Sequence, residues 1–85
     1  MGQRLDILLH VGADMNAPWI RFTFRGYTRH IRELKNEAFL RDLTMTYDFD
    51  RGLFANNYRV KISGPQKTVD EMKEWVEKWS KENLT

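Results

Sequence analysis

Pro18-Trp19-Ile20-Arg21-Phe22-Thr23-Phe24-Arg25-Gly26 is the stretch on which the fold turns. Ile20, Phe22 and Phe24 alternate with Arg21, Thr23 and Arg25. In an extended chain this period of two puts one set of side chains on a core and the other in solvent. Taken as a strand, the segment is the second of four and the element order is ββαββα. Taken as part of a single helix from Pro18 to Asn36, it leaves the order βαββα, one strand fewer. The alternation of aromatic and β-branched residues with polar ones favours the strand.

The same period recurs outward from this stretch. Leu5, Ile7, Leu9 and Val11 alternate with Asp6, Leu8 and His10. Met45, Tyr47 and Phe49 alternate with Thr44, Thr46 and Asp48, and Tyr58, Val60 and Ile62 with Arg59, Lys61 and Ser63. Between them the period lengthens to that of a helix. Ile31, Leu34 and Ala38 recur from Thr28 to about Leu40, with Thr28 as N-cap. From Pro65 to Asn83, Val69, Met72, Val76 and Trp79 form a stripe, with Pro65 in the first turn and Thr68 and Glu71 as a capping box. Turns are expected at Gly12 to Pro18, at Gly26, at Asp50 to Asn57 and at Gly64-Pro65. Offset by 38 residues, Ile20 falls on Tyr58, Gly26 on Gly64 and Ile31 on Val69, a faint internal repeat of strand and helix.

The expected fold is therefore α+β: residues 1–85 as a single domain, a four-stranded antiparallel sheet with two helices on one face. The inward residues of the strands, Ile7, Leu9 and Tyr47 included, should meet the two helical stripes in one core. With 85 residues, 41% of them hydrophobic, the chain can bury such a core unaided. The absence of cysteine excludes disulfides, thiolate metal sites and a cysteine nucleophile. No stretch is apolar enough for a membrane span and Met1 to Arg4 does not open like a signal peptide, which suits a cytoplasmic or recombinant protein.

Three short motifs carry a family resemblance. Phe24-Arg25 with Tyr27-Thr28 resembles the stretch that opens the first helix of acylphosphatases. Gly64-Pro65, Val69, Met72, Trp75 and Glu77 resemble that family's second helix. Ala38-Phe39-Leu40-Arg41-Asp42 is similar to its G-W-V-[KR]-N strand, with Asp42 where the catalytic Asn stands. The likeness spans Phe24 to Trp79 and implies a ferredoxin-like plait, here in circularly permuted order with the last strand moved to the front, which places the second and fourth strands in the centre of the sheet and the first and third at its edges. By the same likeness Arg25 is a phosphate ligand and the only candidate catalytic residue. The family's glycine-containing phosphate loop has no counterpart, and a carboxylate at position 42 repels phosphate, so efficient catalysis is not expected.

Outside that resemblance, Arg21, Arg25, Arg59 and Lys61 fall on the outward face of the two central strands, candidates for binding anions or single-stranded RNA. That face is expected to lack stacking aromatics, and a net charge of +2 limits it to weak, salt-sensitive binding. His10 and His30 have no metal-ligand spacing with carboxylates, Asp48 and Asp50 lack an EF-hand pattern, and Ser80 has no histidine partner. No cofactor and no metal is called for. Leu53-Phe54, bulky and apolar in a hairpin loop, should fold back or meet a partner. The Lys/Glu-rich last helix has the regularity of a designed surface. The leading functional reading is a small non-catalytic plait, with an engineered or redesigned scaffold lacking a biological substrate as one form of it, monomeric and without an obligate partner. Anion or nucleic-acid binding and acyl-phosphate hydrolysis are the alternatives.

Overall fold

The computed structural model describes residues 9–15 and 17–84. Its elements are β1 (His10–Asp14), β2 (Ala17–Gly26), α1 (Thr28–Leu40), β3 (Thr44–Asp50), β4 (Asn56–Ser63) and α2 (Gln66–Asn83). The sheet is antiparallel in the order β1-β2-β4-β3, so β2 and β4 are central and β1 and β3 are edges. The order ββαββα holds and the single-helix alternative does not: Ile20 pairs with Ile62, Phe22 with Val60 and Phe24 with Tyr58. The architecture is a small α+β domain compatible with a plait.

The inner face of the sheet and the two helices share one core. Ile20, Phe22, Val60, Ile62, Leu34, Met72 and Val76 are at most 1% exposed. Phe24 gathers the aromatics, with ring centroids 5.2 Å from Tyr58 and 5.6 Å from Trp79, the latter edge to face. Trp79 turns its indole N–H outward to donate to Glu33 at 2.8 Å, which ties α2 to α1. Leu9 is only partly buried against this core. The strand expected over Leu5 to Leu8 and the core position Ile7 lie outside the described residues.

Five expectations need correction. The segment from Gly12 to Pro18 is strand up to Asp14 and again from Ala17, which pairs with it, and Met15 between them has φ 47°. Pro18 tolerates this because it pairs with Ala13 beyond the end of β4, whose last partner on β2 is Trp19. No ladder bond from its missing N–H is needed on that side. Tyr47 is 39% exposed, not core, because β3 is an edge strand with sheet on one side only. The N-cap of α1 is Tyr27, not Thr28. Pro65 is the N-cap of α2, with extended ψ 144°, so Thr68 and Glu71 do not form the expected capping box.

The fifth correction concerns only the motif resemblance of Ala38 to Asp42 to a strand, since the helix expected from Thr28 to about Leu40 is present with those bounds. Ala38 is 1% exposed and continues the buried stripe of α1, which carries the helix on to Leu40. The helix then closes on itself: the Asp42 N–H donates to the Phe39 carbonyl at 3.0 Å and the Leu43 N–H to the Ala38 carbonyl at 2.9 Å. Asp42 stands between them with φ 60°, in the left-handed conformation that this helix ending requires. Leu43 follows it into the core.

Candidate functional site

The outward face of the sheet carries the predicted basic residues, and the register brings them together in rows. Arg21 lies opposite Lys61 on one side and His10 on the other, and the next row holds Thr23, Arg59 and Asp48. Most of the charge is matched within the face. Arg59 contacts Asp48 from Nε at 2.6 Å and Asp50 from a terminal nitrogen at 2.8 Å. Lys61 reaches across β2 to Asp14 at 2.9 Å. The Asp50 carboxyl is held below its ordinary range by the hydrogen bond from Arg59. Asp14 is lowered by the hydrogen bond from Lys61, whereas the indole N–H of Trp19 is buried without a hydrogen-bond partner. Such exposed pairs contribute at most about 1 kcal/mol each.

Trp19 corrects the expectation of a face without aromatics. Ile20 points inward, so parity sends Trp19 outward, where the Arg21 guanidinium sits 4.9 Å from its ring and the Lys61 ammonium 5.6 Å. Its ring lies across Gly12 of β1, where any Cβ would collide with the indole. The indole thus covers an edge-strand glycine and has two cations beside it, while the residue stays partly exposed. Arg21 and Arg25 form no salt bridge among the described residues, although Arg21 is close enough to Asp14 to help lower its carboxyl.

Arg25 and Asp42 are not brought together. Arg25 lies near the end of β2, opposite Asn57. Asp42 precedes β3, whose first residue Thr44 pairs with Ser63 and through it with Trp19. Six residues of strand between Trp19 and Arg25 correspond to about 20 Å, so the two side chains belong to opposite ends of the sheet.

The two histidines also differ in setting. His10 is exposed on β1. His30 is buried on α1, where its Nδ1 accepts the Tyr27 N–H at 3.0 Å. Burial, then the nearby Arg29, holds its imidazole below the ordinary range. Gly26 makes this contact possible, since a Cβ there would lie 2.6 Å from Nδ1. Among the described residues no group of three or more His, Asp and Glu is placed to hold a metal ion. The Ser80 hydroxyl donates to the Glu77 carbonyl at 2.8 Å inside α2. No helix among the described residues is long and apolar enough to cross a membrane.

Two apolar surfaces remain. Leu53 and Phe54 do not fold back: they are 87% and 78% exposed and flank a groove of about 540 Å³ shared with Tyr27 and Arg29. A second groove of about 490 Å³ runs between α1 and β3, lined by Arg32, Lys35, Phe39 and Tyr47 among others. The sequence reading missed this one, although the exposure of Phe39 was implied by its place off the Ile31, Leu34 and Ala38 stripe. Comparison with protein-family models, curated proteins and solved structures yields no significant match.

Proposed function

We propose that this chain is a non-catalytic plait domain, a stable scaffold that meets other molecules through its surface and not through a reaction centre. The observation that carries this reading is the separation of Arg25 from Asp42, the two residues that a phosphate-hydrolysing site would have to unite. The sheet order and the element order support a ferredoxin-like plait with its last strand moved to the front. Kinship with acylphosphatases loses support from the helical ending at Asp42. An engineered plait without a biological substrate is the same reading in its strongest form, supported by the regular charge pairing on α2, such as Lys73 with Glu77 at 3.3 Å.

Hydrolysis of benzoyl phosphate tests it. The expected result is a rate equal to buffer alone, unchanged in Arg25→Ala. A rate above buffer that Arg25→Ala abolishes overturns the proposal in favour of the acyl-phosphate reading. One observation favours a second reading, weak polyanion binding: Arg21 and Arg25 stand on one face and form no salt bridge among the described residues. Because Arg59 and Lys61 are already matched, such binding would rest on Arg21 and Arg25. It would fall with salt along a slope of about two counterions.

A further inference from the structure

The edge of β3 and the helix beside it form a surface whose two sides carry opposite charge. On the outward side the edge strand itself carries Asp48 and Asp50, which share the single guanidinium of Arg59 on β4 and leave one net negative charge along the edge, with Arg21 two strands further in. On the helix side Arg32 and Lys35 line the groove, and the Lys35 ammonium lies 5.9 Å from the Tyr47 ring. The carboxylates of α1 are engaged elsewhere, Glu33 with Trp79 at 2.8 Å and Glu37 with Arg41 at 2.9 Å. The floor is aromatic: Phe39 is 80% exposed, and Tyr47 and Phe49 point to the same side of β3. Between the two sides runs a seven-residue strand that contains neither proline nor lysine and has no neighbour beyond it among the described residues. Natural edges left in this state invite another strand.

We propose that the β3 edge is a docking site for an extended peptide that joins the sheet as a fifth strand. The peptide would present acidic side chains to Arg32 and Lys35 and neutral or basic ones to Asp48 and Asp50. A strand alternates its side chains between two faces, so it can match positive charge on one side of the edge and negative charge on the other. A nucleic acid carries one sign throughout and meets Asp48 and Asp50 with its phosphates. A second copy, paired about a two-fold axis at Tyr47, sets Arg32 and Lys35 of both molecules along one seam, where like charges oppose each other.

The test uses a capped peptide of about ten residues with Glu and Val alternating on one face and Thr and Lys on the other, titrated against the whole chain and followed by amide NMR. Shifts confined to residues 28–39 and 44–50 are expected. The β3 amides that do not donate to β4 should become protected from exchange. The double variant Arg32→Glu with Lys35→Glu, at exposed positions, should weaken this peptide at least roughly tenfold and gain affinity for a version with Lys in place of Glu. Three results overturn the proposal: no shifts at millimolar peptide, stronger binding of a single-stranded oligouridylate to the same residues, or protection of β3 that rises with protein concentration alone.

Discussion

The two faces of the same four strands are held by different physics. Inside, Phe22, Phe24, Tyr58 and Trp79 touch one another in a continuous packing that no residue can leave without opening a void. Outside, Arg59 with its two aspartates and Lys61 with Asp14 form discrete exposed pairs, each of which can be removed without disturbing the next. Adjacent residues of one strand should therefore differ greatly in their sensitivity to substitution. Urea denaturation of neighbours is the sharpest way to break this contrast. Phe22→Ala should cost about 3–5 kcal/mol, whereas Thr23→Ala should stay within about 0.5 kcal/mol. A loss below about 1.5 kcal/mol at Phe22 would mean that the inner face is not one continuous core.

The next effect comes from the one imidazole on the inner side. His30 is held below the ordinary value of 6.5, so between that pH and its folded pKa the unfolded chain binds more protons. Stability should be fully present above pH 6.5 and decline as the pH falls through the folded pKa. Protonation of Nδ1 also removes the acceptor of the Tyr27 N–H. Thermal melts of His30→Asn, which keeps an acceptor but binds no proton, should lose this slope. The exposed aspartates act in a separate window: Asp14 and Asp50 are lowered from 3.8, so their contribution is lost only in stronger acid.

Asp42 belongs to neither face, and there the expected sign reverses. A non-glycine residue in the left-handed conformation costs about 1 kcal/mol, so Asp42→Gly should raise stability by up to about that amount. A destabilised variant would show that the Asp42 side chain makes a contribution of its own. The smallest effect belongs to the outer face. Arg59→Ala should cost less than about 1 kcal/mol, and the difference should shrink in high salt.

Much of this contrast is legible in the sequence, because period two assigns a residue to a face without any knowledge of the fold. The outward row of Arg21, Arg25, Arg59 and Lys61 and the inward row of Ile20, Phe22 and Phe24 follow from parity alone. Parity gives no depth, which is why Tyr47 reads as core and is 39% exposed on its edge strand. Nor does it give partners: Asp14 and Lys61 are far apart in the chain, and only the register of β1, β2 and β4 brings them within reach. Short motifs mislead when local packing favours another conformation. Ala38 is on the buried stripe of α1, and that decides the end of the helix before any resemblance of Ala38 to Asp42 to a strand can act. Pro18 reads as loop because proline is rare in central strands, yet β2 is central only from Trp19 onward.

The seam between β2 and β4 has a consequence for the order of assembly. The pairs β1–β2 and β3–β4 join strands adjacent in sequence and can zip from short connections. The β2–β4 pairing has to bridge all of α1 and β3, so its loop-closure entropy falls due before its contacts stabilise anything. The expected order is two hairpins first and their joining second, with the contacts of Phe22 with Val60 and Ile20 with Ile62 as the step that sets the rate, which the folding limb of a chevron plot for variants along that seam checks. Substitutions along that seam will slow folding, while those in β1 and at the Arg59 cluster will act mainly by hastening unfolding.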